Sequence, residues 1–507
     1  GTPKNSFCQI ELKANSKLIH DKCWLAVSLR PYNPEGVSFI HTVEALKDTP
    51  GWKVNKKDVV QFDTSPDHYS FSYYRRGDVF SSLLRDQEQA KDTYCKVGMA
   101  TAAALFKLEL NHEKTITLHI PLQANQTEKP SSDFVSLAVK SWKEAESNIC
   151  QLEIPDKHFQ FLYEAAVRTL ILHTPHETYP GPYTYRQFWF RDAAFILYAM
   201  TAIGLTERAK RTLDFFPKRQ NKFGYFLSQD GEWDSNGEAL WIFQKFCQMT
   251  GTIPSKPWLN AIRKGALWIT RKRLSNDSPL PHAGLFPAGF SAEHLGPNDY
   301  YYWDDFWGVA GLEAAEYFEK KYGNPETEKH FHQEAQDFRN QIHISLLQVE
   351  KFLGQKIMPA APYRRMDTGA IGSLAAGYPL QIFSKDDPFL KNTVHYLVDN
   401  CLVHHGFFHD MTHSGINPYL TLHIAQILLR EGNPKYMDLI NAIAGLATPT
   451  GQWPEAIHPK TKGGCMGDGQ HVWAAAEWIL CMKNCFVREE EKEGKLILYS
   501  GIPAHWL

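Results

Sequence analysis

Near the middle of the chain lies the stretch Tyr301-Tyr302-Trp303-Asp304-Asp305-Phe306-Trp307. It sets two adjacent carboxylates among five aromatic side chains, directly before the helix-forming run 308–315. An ionised Asp beside apolar rings loses hydration, so it must find donors, share a proton or have a raised pKa. A protonated acid beside flat rings suits proton donation to a glycosidic oxygen while a sugar stacks on the aromatics. Acidic residues are equally common in a first helical turn, so the pair alone leaves both interpretations open.

The composition favours a large globular protein that binds neither nucleic acid nor membranes. The chain has 507 residues and a net charge of −2, with Lys and Arg dispersed along it. This length has room for two or three domains, and no basic patch or long apolar run marks a nucleic-acid or membrane surface. Many of the 14 Trp stand beside charged residues or Gly, which fits a carbohydrate cleft as well as a large core.

Cysteine and histidine patterns predict no metal site and no cofactor. The nine Cys are scattered, which is typical of free thiols in a reducing compartment, so we expect a cytoplasmic protein. The start Gly1-Thr2-Pro3-Lys4 has no signal-peptide pattern, although a trimmed leader or a larger parent protein is compatible with it. Four His and one Asp lie within 404–413, but their spacing matches no standard metal signature.

Residues 1–123 are predicted to form an antiparallel β-sandwich. Short β-rich or alternating apolar runs are separated by turn residues such as those at 31–36. These runs occupy 8–12, 23–29, 37–43, 59–62, 69–74 and 115–121. The polar, Pro-containing stretch 124–133 then opens a linker over 124–154, in which a helix is expected from about residue 134 to 147.

From 155 to 507 the apolar residues follow the period of amphipathic helices. Twelve candidate helices begin near residues 156, 191, 206, 235, 256, 304, 326, 367, 386, 415, 433 and 470. Helices taken two by two as hairpins can close into a ring, so we predict an all-α (α/α)6 toroid with inner and outer helices. Long, Gly-rich connections alternate with short ones, and functional residues are expected on the long set at one mouth of the ring.

Several polar and aromatic residues at these expected helix starts are candidates for sugar binding. An Arg–Asp pair such as Arg191 and Asp192 can grip two adjacent hydroxyls, although an Asp cap is the simpler alternative. The carboxylates within 230–238 are more numerous than a cap requires, and Asp234 is the best candidate for the cap itself. The full set of candidates is Trp189, Arg191, Asp192, Glu232, Asp234, Glu238, Trp303, Trp453 and His471.

Glu455 is the candidate for a second catalytic carboxylate. It follows Trp453 on a loop before the last predicted helix, where closure of the ring would bring it to face the region of residue 304. In inverting glycosidases the two carboxyls lie about 6.5–9.5 Å apart, which leaves room for an activated water. An acid on a surface loop is the alternative.

Together these residues resemble the six-hairpin (α/α)6-barrel glycosidases, especially the glucoamylase and bacterial trehalase group of glycoside hydrolase family 15 and the relatives around family 63. Members carry an N-terminal β-sandwich, a linker and the toroid, so the resemblance covers nearly the whole chain in layout. Segment 188–194 is similar to the family's Trp-x-Arg-Asp-x-Ala segment, whose Arg and Asp hold the terminal sugar. Segment 303–305 is similar to its Trp-Glu-Glu segment, and 453–455 with 473–477 to its Pro-Glu segment and last helix.

The resemblance implies an inverting, exo-acting glycoside hydrolase for α-linked glucose-type oligosaccharides or disaccharides. Asp304 would be the proton donor with Asp305 close behind, Glu455 would be the general base, and neither metal nor cofactor would take part. Asp in place of Glu at the acid position departs from the family's pattern. The pair of Asp residues beside Trp is also similar to the pattern of inverting sugar phosphorylases, which is a second hypothesis. A non-catalytic carbohydrate-binding or scaffold protein is the third hypothesis.

Overall fold

The computed structural model describes residues 7–15, 23–33, 36–83, 90–109, 111–122, 134–291, 298–411 and 414–506. The chain divides into two compact units, Gly1–Ser147 and Asn148–Leu507. The predicted linker stretch 124–133 lies outside the described residues.

The first unit is a β-sandwich, as predicted. Six strands form one antiparallel sheet in the order β1-β11-β7-β6-β5-β9, and three form a second in the order β2-β10-β8. Trp52 and Phe62 of the larger sheet and Phe106 of the smaller one meet edge to face in the core. A helix, α1 (Phe134–Glu146), follows the strands. The strands are β1 (Phe7–Asn15), β2 (Cys23–Leu29), β3 (Tyr32–Asn33), β4 (Gly36–Val37), β5 (Thr42–Ala45), β6 (Gly51–Val54), β7 (Asp58–Phe62), β8 (His68–Ser72), β9 (Asp92–Tyr94), β10 (Thr101–Leu108) and β11 (Glu113–Pro121).

The second unit is mainly helical, and each of the twelve predicted starts lies within three residues of an observed one. The short α5 was not predicted, and the eighth predicted helix is a 3₁₀ helix, Thr368–Ala376. No helix in the described part of the chain has the length and apolarity that crossing a membrane requires. The α-helices are α2 (Lys157–Leu172), α3 (Phe190–Ala202), α4 (Thr206–Leu213), α5 (Phe216–Arg219), α6 (Ser235–Thr250), α7 (Lys256–Lys272), α8 (Tyr302–Tyr322), α9 (Pro325–Leu353), α10 (Pro388–Asn400), α11 (Pro418–Glu431), α12 (Lys435–Gly445) and α13 (Val472–Phe486).

Six of these elements close the inner ring of an (α/α)6 toroid. Each contacts the next in the order α3, α6, α8, Thr368–Ala376, α11 and α13, and α13 returns to α3. Helices α2, α4, α7, α9, α10 and α12 pack outside them. The inner helices are apolar on nearly every side: in α3 all residues from Phe190 to Thr201 except Asp192 are buried. Such a pattern is typical of a helix enclosed by others.

Short strands occupy both ends of the toroid. At the mouth, where the inner helices begin, five strands form a sheet in the order β12-β13-β14-β15-β16. At the far end, where the inner helices end, β17 and β18 form a hairpin directly after α13. The strands are β12 (Leu402–Val403), β13 (Gly406–His409), β14 (Gly415–Ile416), β15 (Ala456–Ile457), β16 (Gly464–Met466), β17 (Val487–Glu490) and β18 (Lys495–Leu498).

Helices α6 and α8 approach each other most tightly at Gly237. A Cβ atom at this position would lie 2.0 Å from the backbone oxygen of Trp307. From the other side, a Cβ on Gly311 would lie 2.9 Å from the Cα of Gly237. Backbone atoms cannot rotate aside, so the packing of these two inner helices requires glycine at both positions.

Gly237→Ala is therefore expected to lower the free energy of unfolding by about 1–3 kcal/mol, the usual effect of overpacking. Gly445→Ala is the matched control, because Gly445 ends α12 and a Cβ there would meet no atom within 4 Å. The control is expected to be neutral or to stabilise by up to about 1 kcal/mol. Urea unfolding followed by tryptophan fluorescence measures both, and equal losses would contradict the prediction.

Candidate active site

A pocket of about 190 Å³ opens at the mouth of the toroid. Its wall comes from the loops that lead into α3, α6, α8 and α13, so four separate segments meet there. Six of the predicted residues lie in this wall, namely Trp189, Arg191, Asp192, Glu232, Glu455 and His471. Five residues that were not predicted complete it: Pro180, Tyr185, Gln229, Phe290 and Trp473.

The carboxyl group of Glu455 is held in place on the pocket wall. The Tyr185 hydroxyl donates a hydrogen bond of 2.5 Å to Glu455 Oε2. On the backbone side, the Asn417 amide donates to the Glu455 carbonyl at 3.2 Å, and β15 begins at the next residue. Glu455 is 8% exposed, so one carboxylate is presented to the pocket in a defined orientation.

Asp468 orders the loop that carries Tyr185. Its carboxylate is fully buried and accepts backbone N–H groups from Tyr183, Thr184 and Tyr185 at 2.8–3.1 Å. A Cβ on Gly181 would lie 2.1 Å from Asp468 Oδ2, so glycine is required where the loop passes this carboxylate. Asp468 thus positions Tyr185, and through it Glu455. The flanking glycines at 467 and 469 were the only local signal of this role.

In this wall, the guanidinium of Arg191 contacts three carboxylates. Arg191 Nη2 and Nε lie 2.5 and 2.7 Å from Asp234 Oδ2, and Nη1 lies 3.4 Å from Glu232 Oε1. Glu238 Oε1 is 3.9 Å from Arg191 Nε. All four side chains are buried. Because the guanidinium supplies a single positive charge, this cluster favours retention of a proton by a neighbouring acid.

Asp304 is that neighbour. It is 1% exposed, and neither carboxyl oxygen has a hydrogen-bond partner within the described part of the chain. Burial, followed by the charges of Asp234 and Asp305, raises its pKa well above the usual range, and Arg191 opposes the shift. These effects favour the protonated form of Asp304. Asp304 is not among the residues that line the pocket, but Arg191 and Glu232, whose charges act on it, line the pocket.

Asp305 faces a different environment. Its Oδ1 accepts the backbone N–H of Phe286 at 2.8 Å. Burial raises its pKa to about 8, against the effects of this hydrogen bond and of Arg273. The two adjacent carboxyls therefore have separate partners: Asp304 belongs to the Arg191 cluster, and Asp305 fixes the loop before α8.

Three predicted residues have structural partners that the sequence did not indicate. Asp234 occupies the N-cap position of α6, as predicted, but its side chain caps no backbone N–H. Its carboxylate instead binds Arg191 and accepts the Trp303 indole N–H at 2.7 Å. Trp453 donates its indole N–H to the Ile443 carbonyl. Trp303 and Trp453 are each 1% exposed, which corrects the prediction that these rings face the pocket.

Aromatic rings nevertheless surround the acids of the pocket. Tyr185 packs edge to face against Trp189 and His471, with ring centroids 5.8 and 6.2 Å apart. His471 Nε2 lies 3.8 Å from Asp192 Oδ1. The pocket thus combines flat apolar surfaces with carboxylates, an arrangement that suits a ligand with hydroxyl groups on an apolar ring.

The histidine-rich stretch forms a turn. His404 and His405 adopt φ angles of 51° and 63° between β12 and β13, and His409 is buried in β13. His413 lies outside the described residues. Over the residues that the structure covers, no group of three or more His, Cys, Asp or Glu side chains is arranged to hold a metal ion.

Comparison with solved structures identifies the fold. A bacterial glucoamylase complexed with acarbose matches with a TM-score of 0.65 at 13% identity, over 94% of this chain and 79% of that one. A rhamnosidase from Klebsiella oxytoca with rhamnose bound matches with a TM-score of 0.53 at 13% identity, over 90% and 96% of the two chains. Glucoamylase from Saccharomycopsis fibuligera gives 0.52 at 8% identity, over 66% and 96%.

The chain has the six-hairpin glycosidase fold, which confirms the predicted architecture. Identities this low show the fold alone. No family profile matches the sequence, and no curated protein sequence does so.

Asp305→Asn is expected to flatten the pH dependence of stability. Asp titrates near pH 4 in an unfolded chain, whereas Asp305 has a pKa of about 8 in the folded one. The folded state therefore binds this proton more tightly. Its contribution is fully present below about pH 4 and is lost as the pH rises through about 8, by at most about 1.4 kcal/mol per pH unit.

Urea unfolding of the wild type and Asp305→Asn across this pH range measures the difference. Asp399→Asn is the control, because Asp399 is exposed and forms an ion pair with the surface residue Lys435. An identical slope in the wild type and Asp305→Asn would contradict the prediction.

Proposed function

We propose that this protein is an inverting, exo-acting glycoside hydrolase of the glucoamylase and trehalase group, with α-linked glucose-type oligosaccharides or disaccharides as substrates. The observation that carries the proposal is the pairing of two kinds of acid at one pocket. Glu455 lies in the wall, bonded to Tyr185, and the buried Asp304, whose pKa is raised, interacts with the wall residue Arg191. An inverting hydrolysis requires one carboxylate and one carboxylic acid.

In this proposal the acid side of the reaction belongs to Asp304. It gives its proton to the glycosidic oxygen as the bond from that oxygen to the anomeric carbon breaks. The carboxylate left behind would be stabilised by Arg191, whose positive charge already opposes the rise in the Asp304 pKa. Glu232 lies in the pocket wall, and its charge contributes to the raised pKa of Asp304.

The base side belongs to Glu455. Its carboxylate takes a proton from water as the water oxygen bonds to the anomeric carbon from the opposite face. One proton is thus gained at Glu455 and one lost at Asp304, and the configuration inverts. The hydrogen bond from Tyr185 orients Glu455 for this step.

Recognition of the terminal sugar is assigned to the Arg191–Asp192 side of the wall, with Trp189 and His471 beside it. In this proposal the pocket receives the end of a glycan, as exo action requires. A structural neighbour is a glucoamylase complexed with acarbose, and this supports an oligosaccharide as the ligand class.

Time-resolved proton NMR with α- and β-linked gluco- and manno-oligosaccharides, with and without phosphate, tests the reaction. We expect the β-anomer to appear first from an α-linked substrate in the absence of phosphate. Release only with phosphate would indicate a phosphorylase, and the α-anomer first would refute inversion. Saturation-transfer signals from bound glycans without any product would favour a carbohydrate-binding protein.

Substitutions assign the two acids. Asp304→Asn and Glu455→Gln are each expected to lower kcat at least about 100-fold, the usual contribution of general acid or base catalysis. Glu232→Gln is expected to raise KM more than it lowers kcat, because Glu232 lies in the wall that holds the sugar. Asp399→Asn should leave both constants unchanged. If Glu232→Gln lost most of its kcat while Asp304→Asn kept the wild-type kcat, Glu232 and not Asp304 would be the acid.

A further inference from the structure

A second cavity, of about 220 Å³, lies at the far end of the toroid. It is bordered by the ends of α11 and the 3₁₀ helix Thr368–Ala376, and by the hairpin β17–β18 that follows α13. Two arginines, Arg430 and Arg488, form part of its wall, and each is only 8% exposed. The cavity is separate from the pocket at the mouth, with which it shares no lining residue.

Both guanidinium groups converge on one carboxylate. Arg430 Nη1 lies 3.1 Å from Glu490 Oε2, and Arg488 Nη1 bonds to Glu490 Oε1. Each arginine also donates to a neutral group: Arg430 to the Glu489 carbonyl at 3.2 Å and Arg488 to the Ser500 hydroxyl at 3.0 Å. Two positive charges thus share a single negative one.

Neighbouring side chains do not remove the imbalance. Lys483 pairs with the Glu489 carboxylate and Lys245 with Glu491. Among the described side chains of this network, four cations therefore face three carboxylates. At the exposed rim of the cavity Lys385 stands beside Asp386 and Glu493, and Glu493 is bonded to Lys495.

We propose that this cavity binds a small oxyanion of the phosphate type through Arg430 and Arg488. A guanidinium presents a planar set of N–H donors that matches the oxygens of phosphate or sulfate. A buried positive charge without a counter-charge is unfavourable, so a bound anion would complete the network. Gln381 and Ser384 also line the cavity and can donate further hydrogen bonds.

The pKa values agree with this geometry. Burial lowers the pKa of the Arg430 guanidinium, against Tyr198, Tyr378 and the charges of Glu491 and Glu489, which raise it. Burial, and then the charge of Arg430, lowers the pKa of Arg488. The two groups therefore repel each other in a space that water screens poorly, and an anion between them would relieve the repulsion.

An anion at this position would join the C-terminal hairpin to the inner ring. Arg488 belongs to β17, whereas Arg430 belongs to α11, so one ligand would bridge both elements. The proposal is independent of the reaction at the mouth. It predicts a stabilising ligand site whether or not the protein hydrolyses glycans.

Isothermal titration of the full chain with inorganic phosphate, at constant ionic strength set with sodium chloride, tests the site. We expect saturable binding to the wild type. Arg488→Gln should weaken it about tenfold through loss of charge-assisted hydrogen bonds. Glu490→Gln should strengthen it by a similar factor, because it removes the carboxylate with which the anion competes. Lys435→Gln, at an exposed surface position, is the charge-matched control for Arg488→Gln.

Opposite effects of the two substitutions are expected only for an anion held between the two arginines. Phosphate bound in the pocket at the mouth would be insensitive to both, and weaker binding in both would indicate damage to the fold; either result overturns the proposal. Absence of saturable binding to the wild type also overturns it. If Arg488→Gln does not fold, the stronger phosphate binding expected for Glu490→Gln still tests the proposal. Glucose 6-phosphate in place of phosphate then separates a phosphomonoester site, which would bind it more tightly, from a site for the free anion.

Discussion

The mouth of the toroid depends on the ion pair between Arg191 and Asp234. It joins α3 to the residue that begins α6, and the Trp303 indole adds α8 by donating to the same carboxylate. Three neighbouring inner helices are thereby fixed at their starts by one buried oxygen atom, Asp234 Oδ2. Breaking such a pair would leave an uncompensated charge in the interior, which is strongly destabilising. The two charges of this ion pair also act on the Asp304 pKa in opposite directions: Asp234 raises it and Arg191 lowers it.

The ring allows this polar network because its apolar packing is complete elsewhere. Inner helices such as α3 and α13 are buried on nearly all sides, so almost none of their side chains reaches solvent. Polar groups that the chain needs for chemistry are therefore confined to the helix starts and to the loops before them. On these loops Asp468 accepts the backbone N–H of Tyr185, and the Tyr185 hydroxyl donates to Glu455. Glu455 belongs to no helix and is held in place by these contacts.

Local patterns were sufficient for the fold and for part of the site. Helix starts are predictable because periodicity and capping residues act within a few positions, and Trp189, Arg191 and Asp192 were found because they adjoin such a start. Strand β10 was missed because both of its faces are largely buried, so its sequence Thr101–Leu108 shows no alternation. Asp234 was taken for a cap because its partner Arg191 is 43 residues away. The contacts of Tyr185 with Glu455 span 270 residues, and no local pattern records them.

The two ends of the toroid carry opposite excess charge, and the direction of the inner helices accounts for it. These helices begin at the mouth, where their partial positive charge favours acids such as Asp192, Glu238 and Asp304 in first turns. They end at the far end, where the opposite partial charge favours Arg430 and Lys483 in last turns. The partial charge at a helix end favours side chains of the opposite sign, but at about half an elementary charge it does not neutralise an ionised side chain. At the mouth the raised pKa of Asp304 favours a bound proton, which reduces the remaining negative charge. The arginines at the far end cannot do the equivalent, because Arg keeps its proton in proteins; the proposed anion would supply the missing negative charge there.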